Sequence, residues 1–333
     1  MPDRAGARRA SGPLLAGDIG GTKALLALIG ADGRSFERRY LCREFATFEA
    51  LLERFRADAR HALGAPPRIA RASLGIAGPV EAGRVHMTNL GWEIDARALG
   101  IATVRLLNDF EASAHALARL RGRDLATLQD GSPVAAAPRL LIGAGTGLGV
   151  AFVTGRGRRL RILRGEGGHV GFAPADTEQE ALHRYLAGGL GRVELEHVVS
   201  GAGLARLYGF LRDTARAPEN DAVRDAMAAG ESAAAVSRAA LEAADPLALA
   251  ALDLFIACYG AAAGDYALAV LARGGVYVAG GIAPRILARL QRGGFVAAFN
   301  AKAAFSEVAR ACPVHVILNE RAGLLGAIAA APR

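Results

Sequence analysis

The chain has 333 residues, 52% of them hydrophobic and only 6% aromatic, long enough for about two domains with a substantial core. Its formal net charge of +8 is carried almost wholly by arginines, since Lys23 and Lys302 are the sole lysines; the arginines are scattered rather than striped with aromatics, which argues against a nucleic-acid partner. Three widely spaced cysteines, Cys42, Cys258 and Cys312, with no C-x-x-C pair, argue against a disulfide framework or a zinc site and fit a reducing compartment.

In chain order, residues 1–13 are polar and Arg-rich, lack the apolar middle of a secretory signal and read as a disordered tail. No apolar run looks long enough to span a bilayer. Residues 14–16 read as a strand entering Gly17-Asp18-Ile19-Gly20-Gly21, and residues 22–29 as the strand leaving it. Asp32-Gly33 is a hairpin signal before a third strand at 35–41. Thr47 can cap a helix whose apolar face is Phe48, Leu51, Leu52, Phe55 and Ala59, with Pro66-Pro67 as its stop. Residues 70–77 read as a buried strand, 85–87 as a β excursion, 104–107 as another buried strand and 110–120 as a helix. Residues 121–138 look like a connector. A strand at 140–142, a glycine turn from Gly143 to Gly149 and a strand at 150–154 follow, then an exposed hairpin over Arg156 to Arg164. From 178 to about 271 the pattern is mainly helical. Residues 276–279 form a strand ending in Gly280-Gly281, with Pro284 early in the next helix. The last strand is at 314–318 and the last helix at 321–330.

The strand, glycine turn and strand at 14–29 recur at 140–154. Such weak duplication suggests two related α/β domains facing each other across a cleft.

The first turn, Asp18-Ile19-Gly20-Gly21-Thr22-Lys23, can bring backbone amides to a phosphate, with Thr22 as a hydroxyl donor and Asp18 as a carboxylate for magnesium, directly or through water. It is not a P-loop, because the order is Gly-Thr-Lys and a strand follows. The second turn has no glycine at the sixth place of G-x-G-x-x-G and also leads into a strand. Each could equally be an ordinary hairpin turn. At Leu106-Leu107-Asn108-Asp109-Phe110 an apolar strand delivers an amide and a carboxylate to its C-terminal end, where ligands of α/β sheets bind. The alternative is that one of them merely caps the helix. In Gly165-Glu166-Gly167-Gly168-His169, Glu166 and His169 can face one small polar ligand, or serve as a loop carboxylate and a structural histidine. Glu196 is either a further polar contact or a surface charge. Ala279-Gly280-Gly281-Ile282 can hold an adenosine by backbone contact.

Together these segments resemble the bacterial glucokinase family of the sugar kinase, heat shock protein and actin superfamily. The resemblance runs in order through Gly17 to Thr22, Gly75-Ile76-Ala77-Gly78-Pro79, Leu107 to Phe110, Gly145 to Gly149, Gly165 to His169, Ser200-Gly201-Ala202-Gly203, Ala279 to Ile282 and Gly323-Leu324-Leu325-Gly326. It implies a two-domain, ribonuclease H-like α/β fold with an interdomain cleft: 14–119 plus 312–333 as a small domain and 120–311 as a large one. It implies an ATP- and magnesium-dependent glucokinase, feeding glycolysis in the cytoplasm as a homodimer, with no membrane partner. Asn108, Asp109, Glu166, His169 and Glu196 would bind the sugar, with Asp109 as base. Asp18, Gly20, Gly21, Thr22, Gly145, Thr146, Gly147, Gly280 and Gly281 would lie along ATP and its metal. The cysteine-rich zinc segment of the related ROK kinases is missing after His169. The family tends to carry Asn where this chain has Asp265, which bears on the adenine side.

Three other readings stand beside this one; against the first, a chaperone-like or actin-like ATPase, the compact polar set Asn108, Asp109, Glu166, His169 and Glu196 argues for a small polyol ligand. A kinase for mannose or N-acetylglucosamine would share the motifs. A sugar-responsive regulator would need an added helix-turn-helix, and thirteen residues before the first strand are too few for one.

Overall fold

The computed structural model describes residues 12–64, 68–87, 89–230 and 232–332. The expected tail lies outside them as far as residue 11, as does the Pro66-Pro67 stop. The chain is mixed α/β and divides into two units, one running to Leu120 and resuming at Asn319, the other Arg121–Leu318.

In the first unit, β1 (Leu14–Ile19), β2 (Lys23–Ile29) and β3 (Ser35–Leu41) form an antiparallel meander. Helix α1 (Phe48–Leu63) follows, its first turn closed by Ala50 N–H donating to Thr47 Oγ1 at 3.2 Å. Its buried residues are Phe48, Leu51, Leu52, Phe55 and Ala59, the expected face. Strand β4 (Arg71–Ile76) lies parallel to β1. A small ribbon of β5 (Val80–Glu81), β6 (Arg84–Met87) and β7 (Trp92–Asp95) precedes β8 (Thr103–Asn108), which is parallel to β4. The sheet order is β3-β2-β1-β4-β8. Both faces are covered, so β1 and β2 are apolar at successive positions. Leu15, Ile19, Leu26 and Leu74 pack with the α1 face, while Leu14, Ala16, Leu25 and Ala27 pack with Leu324 and Ala327 of the C-terminal helix, Ala322–Ala329.

Helix α2 (Asp109–Ala116) starts directly from β8. It ends earlier than the expected 110–120, because residues 117–119 close as turns. Two glycines let it settle. A Cβ at Gly75 would press on Ala112 Cβ, and one at Gly326 would overlap the Ala112 carbonyl.

The second unit opens with β9 (Leu125–Gln129), a strand inside the expected connector. Next come β10 (Arg139–Ala144), β11 (Leu148–Thr154) and β12 (Arg161–Gly165), antiparallel in turn, with the expected hairpin between the last two. Helices α3 (Thr177–Leu190), α4 (Gly201–Asp213), α5 (Asp221–Ala228), α6 (Ser232–Glu242) and α7 (Pro246–Val270) lead to β13 (Val276–Ala279). Short helices α8 (Leu287–Leu290), α9 (Gly294–Asn300) and α10 (Ser306–Arg310) precede β14 (Val314–Ile317). The order is β12-β11-β10-β13-β14-β9, with β10, β13 and β14 parallel and β9 antiparallel to β14. Pairing of β14 with β13 and β9 keeps it in this unit, so the chain returns to the first unit at Asn319 rather than at 312. Pro284 lies in a run of turns before α8, not in a helix.

Helix α7 corrects the expectation that nothing apolar is long enough to cross a membrane. Its 25 residues have a mean hydropathy of 1.8 over the relevant window, and 78% of that window is buried within the protein. Asp253 and Asp265 interrupt the run in sequence. Gly260 and Gly264 let α7 press against the carbonyls of Phe295 and Phe299 on α9, a core contact.

Gly326→Ala is predicted to lower stability by about 1–3 kcal/mol through overpacking against α2. Gly188, exposed within α3 with open space where a Cβ would stand, gives the opposite outcome: Gly188→Ala gains about 0.5–1 kcal/mol. Chemical denaturation of the two variants checks both signs.

Candidate active site

The parallel strands of the first unit bring Asp18 near the end of β1 and Asn108 to the last position of β8. Asn108 does cap α2: its Oδ1 accepts from the amides of Phe110 at 2.9 Å and Glu111 at 3.4 Å, and its Nδ2 donates to the Gly78 carbonyl at 3.1 Å. Most of its hydrogen-bonding capacity therefore goes to fixing the strand-to-helix corner. The next residue, Asp109, is the first of α2, and its Oδ1 accepts from Phe110 N–H at 2.8 Å. Burial pushes the Asp109 carboxyl above its ordinary range, against the lowering effect of that amide bond.

Asp18 is held from the other side. A Cβ at Gly323 would overlap its carboxylate, so that carboxylate rests on the bare Cα at the start of the C-terminal helix. Burial, and then the charge of Asp109, push the Asp18 pKa up to about 7, with Arg39 opposing. Asp18 and Asp109 thus act on one another across the strand ends.

Around the first turn, Gly20 N–H donates to the Lys23 carbonyl at 2.9 Å. Thr22 is exposed. Neither Gly20 nor Gly21 has a positive φ, and a Cβ at either would approach nothing closer than 3.4 Å. Gly17, by contrast, is required by Leu26, Ile19 and Leu74. Packing within the protein therefore does not demand glycine at 20 and 21.

The second unit has its own constellation. Gly145 N–H donates to the Gly147 carbonyl at 2.8 Å, and Gly201 N–H to the Gly145 carbonyl at 2.8 Å. Ser200 Oγ caps α4 by accepting from Gly203 N–H at 3.0 Å. Tyr259 of α7, fully buried, accepts from Ala144 N–H and donates to the Ile142 carbonyl, which pins β10 where the turn begins. Glu196 reaches back to this turn: its Oε2 accepts from Leu148 N–H at 2.8 Å and fills the space beside Gly147 and Gly168 where side chains would stand. Gly280, at φ 84°, packs on the Ala144 backbone. Gly145 and Gly281 have open space where a Cβ would stand and ordinary φ, and Thr146 is exposed.

His169 and Glu166 lie on the neighbouring loop. His169 Nε2 is 3.9 Å from Glu166 Oε2, and its Nδ1 is 2.7 Å from Oε2 of Glu194. Tyr266 of α7 donates to the Gly167 carbonyl at 2.6 Å between them. Within this unit the expected Gly145, Thr146, Gly147, Glu166, His169, Glu196 and Gly280 come together through these contacts, with Gly281 adjoining.

A family model described as Glucokinase matches residues 15–333. A glucokinase of Synechocystis sp. is 39% identical over 342 residues, covering 94% of this chain and 96% of that protein. The chain belongs to the glucokinase family. A glucokinase of Chromobacterium violaceum is 39% identical over 322 residues, covering 95% and 88%. The crystal structure of a glucokinase from an Antarctic psychrotroph is 31% identical, with a TM-score of 0.79 over 95% of this chain and 98% of that one. Members of the glucokinase family are ATP-dependent hexose kinases, and the chain is therefore a phosphotransferase.

Two features within this glucokinase-family fold escape the sequence pattern. Glu194, the partner of His169, stands two residues before Glu196, and the alternation Glu194-Leu195-Glu196 was its only signal. The pairing of Asp265, where the resemblance expects Asn, is the second: Lys302 Nζ lies 2.5 Å from its Oδ1 and also donates to the Ala261 carbonyl at 2.8 Å. The lysine stem fills the space beside Gly264.

The raised pKa of Asp18 has a sign that can be measured. The folded protein keeps this proton to about pH 7, whereas the unfolded chain loses it near the ordinary value of 3.8. Folding then takes up a proton between those values, so this group's contribution to stability falls as pH rises through that window. In buffer free of divalent cations, Asp18→Asn should be more stable relative to the parent at pH 8 than at pH 5, by denaturant unfolding.

Proposed function

We propose that this chain phosphorylates the 6-hydroxyl of D-glucose with ATP, giving glucose 6-phosphate and ADP for glycolysis in the cytoplasm. The observation that carries the mechanism is Asp109, a partly buried carboxylate at the first position of α2, at the C-terminal end of a parallel strand. Burial favours its protonated form, which makes the carboxylate a stronger proton acceptor than an exposed one. Asp109 takes the hydroxyl proton as the oxygen attacks the γ-phosphorus; the bond from that phosphorus to the bridging oxygen breaks, and ADP leaves. Asn108 holds the strand-to-helix corner on which Asp109 stands. Its remaining N–H, with Glu166, His169 and Glu196, hydrogen-bonds the hexose.

Gly20, Gly21, Gly145 and Gly281 support the nucleotide assignment. The protein's own packing does not call for glycine at these positions, whereas an approaching phosphate or ribose does. Thr22 and Thr146 add exposed hydroxyls. Gly147 and Gly280 shape the same turn through Glu196 and Ala144. Asp18 fits magnesium: it is a single carboxylate near the end of β1, beside the first glycine turn, and magnesium on a nucleotide is commonly held by one or two carboxylates beside phosphates and water. When bound, the ion would offset charge on the phosphates. A homodimer without nucleic-acid or membrane partners completes the proposal. A kinase for mannose or N-acetylglucosamine would use the same machinery.

Asp109→Asn is expected to lower kcat by at least about 10²–10⁴ while glucose still binds by calorimetry. Near-normal turnover would remove Asp109 from its role. Glu166→Ala and His169→Ala should chiefly raise the glucose KM; unchanged KM in both would refute the hexose assignment.

A further inference from the structure

His169 is held in a way that the chemistry above does not use. It ends the turn Gly167–His169, and the segment after it is stitched to the one carrying Glu194. Gly171 bridges Glu194, Phe172 N–H donates to the Val193 carbonyl at 3.0 Å, and Leu195 N–H donates to the Val170 carbonyl at 2.8 Å. Arg192 Nη2 donates to the His169 carbonyl at 3.3 Å, and Glu194 N–H donates to His197 Nδ1 at 3.1 Å. The backbone on both sides of the His169–Glu194 pair is therefore fixed before the side chains meet. The Glu194 side chain is 25% exposed and that of His169 52%, so the carboxylate is the seated partner and the ring is the presented one.

We propose that Glu194 is a positioning residue for hexose binding: its carboxylate holds the Nδ1 edge of His169 and leaves Nε2, beside Glu166, as the edge that meets a sugar hydroxyl. This rests on the reading of His169 as a hexose contact.

A carboxylate on one ring nitrogen fixes both tautomer and orientation at the other. The charged groups around the ring are Glu194 at 2.7 Å, Glu166 at 3.9 Å, Glu196, and Arg192, whose Nε lies 3.8 Å from Glu194. The Glu194 hydrogen bond raises the His169 pKa above its ordinary value, with the Glu196 and Glu166 charges adding and burial opposing. Below that pKa, Nε2–H donates to the sugar. Above it, Glu194 keeps the proton on Nδ1 and Nε2 turns from donor to acceptor. Hexose affinity should therefore fall as pH rises through the raised pKa, and neutralising Glu194 should bring that fall to lower pH.

The test uses the full chain and Glu194→Gln, which keeps the size and the accepting oxygen but not the charge, with Glu194→Ala and His169→Ala beside it. Two readouts are needed: the ring resonances of His169 titrated by NMR without sugar, and glucose KM and kcat across pH. In Glu194→Gln the His169 titration should move about one pH unit lower, and the rise of glucose KM should move with it. At pH 7.5, KM should increase about tenfold, with kcat falling less, and Glu194→Ala should do at least as much. An unmoved His169 titration in Glu194→Gln overturns the proposal. So does a moved titration with an unmoved KM profile, where His169→Ala does raise KM. If His169→Ala itself leaves KM unchanged, the hexose role of His169 has failed, and the proposal falls with it.

Discussion

Two carboxylates of this chain, those of Asp18 and Glu196, occupy space that a Cβ on the neighbouring residue would take, and their placement depends on glycine there. Asp18 rests on Gly323, and Glu196 rests between Gly147 and Gly168. Each contact joins segments far apart in sequence. Each also takes a carboxylate partly out of water, and at Asp18 this lifts the pKa to about 7. The same device appears in the scaffold beneath: Gly75 and Gly326 lower α2 onto its sheet, and Gly260 and Gly264 bring α7 against α9. Some glycines are required by close approach inside the protein. Others are not, among them those at 20, 21, 145 and 281, four of the positions that the proposal places along the nucleotide.

The two sheets repeat one plan. In each, an antiparallel hairpin carries a glycine turn at its tip, and its first strand also pairs with a parallel neighbour: β1 with β4, β10 with β13. The ends of the parallel strands then differ in what they carry. In the first unit, β8 runs without a loop into α2 and delivers Asn108 and Asp109. In the second, β13 runs into Gly280 and Gly281, and the acidic groups come from loops around His169 and Glu196. A shared scaffold thus presents different side chains at corresponding ends of the two sheets.

Much of this was legible locally. The hairpin turns, the Thr47 cap and the α1 face are short-range patterns, and they stand where periodicity put them. What was not legible depended on distant partners. Strand β9 is half-buried along most of its length, with no strong alternation, and it exists because it pairs with β14, as in the bond between Thr127 and His315, 188 residues apart. The same pairing explains why the second unit keeps residues 312–318. Helix α7 hides its apolar length because alanine, glycine and two aspartates dilute it. Glu194 reads as one surface charge among several until the fold brings His169 to it. The tension at Asn108 between cap and contact could not be resolved in sequence, since both need the same residue at the same corner; the cap is present, and it leaves little of the amide for anything else.

The proposed reaction is transfer of the γ-phosphoryl group of ATP to glucose. The most direct measurement is ADP formation from Mg-ATP by the purified protein, with glucose, mannose, fructose, N-acetylglucosamine and no sugar in parallel. Strong release with glucose and little with no sugar is the expected outcome. Release no greater with glucose than without sugar, from folded protein that binds glucose, would contradict it.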